Sequence, residues 1–148
     1  MKVLVMHDSR YGNGKQVAEA IAEGLREAGH EVQVVGAAEV RELDISAFSA
    51  FVLGSPIRIG SPTWRAGGAL KRVGKACSGK YCVAFVTQAD PKLWGLPRWE
   101  ARLAASGLLK LMDGKGFHVK DVKGPLDDGE LPRAKEFGKH IAGKLKGA

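Results

Sequence analysis

The sequence has 148 residues, 45% of them hydrophobic, with a formal net charge of +7 and a pI near 9.6. Length and apolar content suit one domain over 1–148 with a single sizeable core. No segment reaches the roughly 18 consecutive apolar residues of a membrane span. The run 1–6 is too short for the apolar part of a secretory signal, so the expected compartment is the cytoplasm. Cys77 and Cys82 have no further ligands at metal-binding spacing and are expected to be reduced thiols.

The charge is unevenly spread. Residues 1–57 carry eight acids and five bases, whereas 58–80 carry Arg58, Arg65, Lys71, Arg72, Lys75 and Lys80 with no acid. Such a stretch is either a solvated helix face or a surface for an acidic partner. Nucleic acid ranks last among such partners, because no aromatic residues interleave with the bases.

Taken in chain order, 2–6 is a short apolar run and reads as a buried strand. A helix follows, with Asn13 as its expected cap and Val17, Ala18, Ile21, Ala22 and Leu25 at helical spacing. Gly29 stands where a left-handed C-cap belongs. Residues 30–35 alternate and are β-branched, which predicts a second strand. The stretch 36–46 is poorly patterned and predicts a short helix or turn. Residues 50–54 form a third, fully apolar strand. A helix weakened by Gly67 and Gly68 covers 65–75, and 81–86 is a fourth strand. An amphipathic helix is predicted over 98–112, a fifth strand over 117–122, and a helix over 132–145 with Pro132 near its first turn.

Apolar strands alternating with helices predict an α/β protein with a parallel sheet covered on both faces. Five strands at this length suit a doubly wound sheet of order 2-1-3-4-5. Ligands then bind beyond the carboxyl ends of the strands, where the winding reverses, here between strands one and three. Three loops should face that crevice: 7–13, 55–63 and 87–97.

The first loop carries Ser9, Arg10, Tyr11, Gly12, Asn13, Gly14 and Lys15. It leaves a strand and enters a helix N-terminus, where backbone N–H groups and the helix dipole favour an anion. Ser9 and Asn13 add side-chain donors. The loop is no Walker A motif: Ser9 stands where that motif needs a Gly, and Gln16 where it needs Ser or Thr. The plainer reading is a tight turn before a capped helix. No Ser/His/Asp set or carboxylate pair appears, so hydrolysis has no support.

Ser9-Arg10-Tyr11-Gly12-Asn13-Gly14-Lys15, followed by Val17-Ala18-Glu19-Ala20-Ile21-Ala22, resembles the phosphate loop and first helix of flavodoxins. Ser9, Tyr11, Gly12 and Asn13 match the family pattern, while Gly14 stands where the family usually has a Thr. The resemblance implies a short-chain flavodoxin-like protein holding flavin mononucleotide (FMN), with Arg10 or Lys15 making good the missing hydroxyl. The second loop, with Ser55, Pro56, Ile57, Arg58, Ile59 and Gly60, resembles the Gly-Ser-Pro segment beside the flavin in flavodoxin-like oxidoreductases, protoporphyrinogen oxidases among them. The third, with Thr87, Gln88, Asp90 and Trp94, takes the place of the family's remaining flavin loop. It lacks the usual stacking Tyr.

Trp94 and Trp64 are then candidates for stacking on the flavin, or else pack on their own segments; Trp99 is expected to pack. Arg58 would stabilise the anionic reduced flavin if it lies nearby, and is otherwise a solvent-exposed Arg. Asp90 is a hydrogen-bond acceptor for the cofactor or a turn residue before Pro91. The resemblance implies an electron carrier whose basic face meets an acidic redox partner. Two alternatives stay open: an FMN-dependent oxidoreductase acting on a small-molecule substrate, a quinone or a carboxylated tetrapyrrole, and a cofactor-free interaction module.

Overall fold

The computed structural model describes all 148 residues. The chain runs β1 (Lys2–His7), α1 (Asn13–Glu27), β2 (Glu31–Gly36), two 3-10 segments (Ala37–Glu42 and Ile45–Ala47) and β3 (Ala50–Arg58). It continues through β4 (Ser61–Pro62), α2 (Trp64–Cys77), β5 (Tyr81–Gln88), a 3-10 turn (Pro91–Leu93) and α3 (Gly95–Ala105). Strands β6 (Leu109–Lys110) and β7 (Lys115–His118) and helix α4 (Glu130–Gly147) follow.

The sheet has the order β2-β1-β3-β5-β6, with β7 beside β5 beyond β6 and β4 folded back on β3. All pairings are parallel except β3 with β4. The expected path 2-1-3-4-5 is therefore present, but in seven strands rather than five. One extra strand is the short hairpin arm β4. The other arises because the fifth position is filled in two pieces, 109–110 and 115–118.

That split corrects the expected 98–112 helix and 117–122 strand. Helix α3 ends at Ala105, and Gly107 follows with φ 95° in the left-handed region, a conformation that stops a helix. Leu109 and Lys110 then pair with Tyr81 and Cys82. Leucines that looked like one helix face belong partly to the sheet edge.

β1 is apolar from Val3 to Met6 because both its faces are covered there. Val3 and Val5 pack with α1 and α4, in a cluster that includes Val17, Ile21, Phe137 and Ile141. Leu4 and Met6 point the other way, into a cluster with Leu70, Val73, Trp99 and Leu103 of α2 and α3. The same alternation divides β3 and β5: Val52 and Phe85 on one face, Phe51, Leu53 and Ala84 on the other. Trp99 is fully buried and its indole N–H donates to Leu53 O at 2.8 Å, so it is a packing residue. No helix is long and apolar enough to cross a membrane.

Candidate functional site

A cavity of about 340 Å³ opens at the carboxyl ends of β1, β3, β5 and β7. This is the crevice the winding of the sheet requires, and it is large enough for a small ligand.

Its floor is the first loop. Ser9, Arg10, Tyr11, Asn13 and Gly14 line it, as does Asp8, which sequence reasoning passed over. Gly12, not Asn13, is the N-cap of α1, with φ 89° and no side-chain cap bond. Asn13 is already helical, so its side chain cannot serve as the cap. A left-handed Gly at this point leaves the first turn open: no backbone N–H from Tyr11 to Lys15 has a protein acceptor. The first turn carries no acid. Ser9 Oγ is buried and without a partner. Lys15 is exposed and lies outside the cavity, on the outer face shared by α1 and α4. Arg10 does line it and is the basic group available to offset Gly14.

Asp8 is fixed rather than free. Thr63 Oγ1 donates to Asp8 Oδ2 at 2.5 Å, while the same hydroxyl accepts from Ala66 N and caps α2. His7, just before, has its imidazole held below the ordinary 6.5 by burial first and by Lys15 second. It is therefore neutral near pH 7.

The second wall is the β3–β4 hairpin. Pro56, Ile57, Arg58 and Ile59 line the cavity. Ile57 pairs with Pro62 and Arg58 with Ser61, which leaves Ile59 and Gly60 as a two-residue turn with φ 50° and 75°. Both values match a turn of type I′, in which a β-branched residue is strained. Ile59 is 98% exposed. The carbonyl of Gly60 accepts from Arg98 Nη1 at 2.7 Å, so this glycine faces α3 and not the cavity. Ser55 is also outside. It is buried beneath the wall, where its hydroxyl accepts from Thr63 N and donates to Pro56 O.

The third wall brings Thr87, Gln88 and Asp90 to the cavity, with Ala89 and Leu93. Asp90 Oδ1 accepts from Lys92 N at 2.9 Å, the turn role open to it before Pro91. Gln88 Oε1 is buried with no partner. Trp94 does not reach the cavity. Its own φ of 58° at the start of α3 turns it outward, 68% exposed, and Leu93 takes the inner position. Trp64 is also outside the cavity lining and is 82% exposed. The one aromatic residue in the lining is Tyr11. Two guanidinium groups lie over its ring, Arg58 at 5.3 Å and Arg10 at 5.4 Å from the centroid. Neither arginine has a carboxylate partner within 4.0 Å.

Val119 and Val122 complete the cavity. They were legible only as part of a strand, but the rule that ligands sit beyond strand ends would have found them. His118 ties this side together: its Nδ1 contacts Asp127 and its Nε2 lies 3.0 Å from Ala89 O of the third wall.

A buried hydroxyl without a partner, five open N–H groups, two unpaired arginines and no acid in the first turn form a donor set for a phosphate. Ile57, Ile59 and Leu93 add apolar side chains to the lining of the same cavity. Fold and site together define a flavodoxin-like α/β protein.

Comparison with known proteins agrees. Residues 4–65 match the family model described as Flavodoxin domain. A flavodoxin of Aquifex aeolicus is 38% identical over 65 residues, 43% of this chain and 35% of that protein. An NAD(P)H dehydrogenase (quinone) of Methylocella silvestris is 48% identical over 52 residues, 35% of this chain and 26% of that one. These alignments thus span about a third or less of the curated relatives' lengths. Over the whole fold, an archaeal flavodoxin superposes with a TM-score of 0.83 at 22% identity, covering 99% of both chains. The flavodiiron core of a Synechocystis protein gives 0.80 at 24% identity, covering 99% of this chain and 36% of that one. Over residues 4–65 the chain is thus similar to flavodoxins, and over its whole length it has their fold.

Proposed function

We propose that this chain is an FMN-binding redox protein that passes electrons between partners through the flavin. The observation that carries the reading is the buried, unpartnered Ser9 Oγ beside the open N–H groups of Tyr11 to Lys15. Ser9, Arg10, Asn13 and those amides hold the phosphate. Ile57, Ile59 and Leu93 shelter apolar parts of the ring from water, and Thr87, Gln88 and Asp90 supply polar groups to its edge and side chain. When bound, FMN supplies one- and two-electron transfer; the protein positions it and sets its potential.

Arg58 and Arg10 put positive charge at the cavity, where it favours a reduced, anionic flavin. The basic 58–80 stretch makes an acidic partner the natural one, since Arg65, Lys71, Arg72 and Lys75 are all exposed on α2. The similarity to a quinone dehydrogenase over 52 residues supports a second reading, an FMN-dependent oxidoreductase acting on a quinone.

An absorbance spectrum and a flavin-fluorescence titration test the first reading. Saturable quenching at micromolar FMN is expected, and its absence would refute it. Potentiometry should then place the fully reduced couple of the wild type above that of Arg58→Ala. Equal potentials would remove the role given to Arg58. Turnover with quinones, tested on the loaded protein, separates carrier from enzyme.

A further inference from the structure

A second depression lies outside the flavin cavity, between α2 and the 3-10 segment Ala37–Glu42. It encloses about 300 Å³ over an apolar floor of Ala37, Val40 and Ala69. Its rim is Arg41, Arg65 and Arg72, with Trp64 at one end. Trp64 is 82% exposed, an unusual cost for a residue that commonly anchors interfaces. Arg65 lies over its ring at 6.0 Å. None of Arg41, Arg65, Arg72 or Lys75 has a carboxylate within 4.0 Å.

The depression does not stop at Arg72. That residue also lines a neighbouring hollow with Leu43, Ile45 and Lys75, and its Nη2 donates to Arg41 O at 3.4 Å, so the two hollows adjoin at this side chain and lie end to end along α2. The single acid in this lining, Asp44, already accepts from Ser46 Oγ at 2.6 Å. From Trp64 to Lys75 the helix rises about 16 Å. An extended peptide of about five residues covers that distance.

We infer that this groove receives an extended acidic segment of a partner protein, with an apolar side chain on the alanine–valine floor and carboxylates on the arginine rim. Three observations favour a peptide over a small anion: the length, the open shape, and arginines spread along the groove rather than converging on a point. The groove begins one residue beyond Thr63, whose hydroxyl is bonded to Asp8 of the flavin cavity. A partner seated there lies against the cavity rim. That placement gains its purpose from the redox reading, whereas the binding itself does not depend on it.

The test uses the full chain, with and without FMN, and a fluorescein-labelled peptide Glu-Glu-Leu-Glu-Glu followed by anisotropy. Arg65→Glu with Arg72→Glu should weaken binding at least tenfold. Lys144→Glu with Lys146→Glu, on the far helix α4, makes the same change in net charge and should stay within about twofold. Trp64→Ala should weaken the peptide and leave FMN affinity unchanged. Equal loss in both charge-reversal pairs would overturn the proposal in favour of unspecific attraction. So would a single-stranded DNA of equal charge that binds more tightly and loses affinity with the groove pair. Circular dichroism of each variant confirms folding. Failure of FMN to bind, with peptide binding intact, would remove the redox reading and leave the groove standing.

Discussion

Helix α1 presents the loop proposed to hold the phosphate, so its seating decides whether that site exists. It rests on α4 at a crossing without side chains. A Cβ placed on Gly24 would lie 2.2 Å from Lys135 O, and one on Gly138 would lie 2.2 Å from Ile21 O. Both obstacles are backbone, which cannot swing aside. Gly24→Ala therefore forces the helices apart by about an ångström, and overpacking of this kind costs about 1–3 kcal/mol. Replacing Gly by Ala inside a helix gives back about 1 kcal/mol. Backbone obstacles at 2.2 Å put the cost in the upper part of that range, about 2–3 kcal/mol, so the expected net loss is about 1–2 kcal/mol, or roughly 2–8 °C in Tm for a protein of this size. Gly143→Ala is the matched control. It lies on α4 with open space around its Cβ position, and should gain about 0.5–1 kcal/mol. Urea denaturation of the two variants measures both. If Gly24→Ala matches or exceeds the wild type, or if Gly143→Ala loses as much, the crossing is not limited by backbone contact and the reasoning fails.

Three further perturbations follow from the site and the core. His7 binds its proton less readily when folded than when unfolded. Its contribution is therefore complete above pH 6.5 and declines as pH falls below that value, and His7→Asn should flatten the decline; denaturation at several pH values would show parallel curves if the assignment is wrong. Burial pushes the Cys82 thiol up to about 11 and raises that of Cys77. Alkylation at pH 8 should be at least tenfold slower in the native protein than in urea, and equal rates would contradict their burial. A Cβ at Gly14 would sit 3.6 Å from Ser9 Cβ, an ordinary contact. Gly14→Thr should fit, add a hydroxyl at the phosphate loop and tighten FMN severalfold; a weaker fluorescence titration would mean that the loop has closed on some other geometry.

Much of the fold is written in local pattern. Val3 to Met6 reads as a strand because both sides of it are buried, and the helical spacing of Val17, Ile21 and Leu25 survives unchanged in α1. Crevice and loops then follow from topology alone. The errors fall where tertiary pairing overrides local pattern. Leu108, Leu109, Leu111 and Met112 have helical spacing, yet the edge of β5 claims Leu109 as a strand residue. Trp94 and Ser55 sat in the right loops, but no local rule tells which way a loop residue faces. Trp94 is turned out by its own φ, and Ser55 spends its hydroxyl inside the wall. The isolation of Ser9 Oγ is likewise a property of packing, not of sequence.

The two-piece strand beyond β5 has a consequence for life at high concentration. A continuous outer strand would offer a straight row of free amides and carbonyls on which another copy could build. Here the row is broken at 111–114, and Gly114 N is occupied by Glu100 Oε2 at 3.0 Å. Lys110 stands at the break, paired with Asp113 at 2.7 Å, and Lys115 follows it. Charge and discontinuity together deny a neighbouring copy the template for adding a strand, so this border of the sheet resists polymerisation.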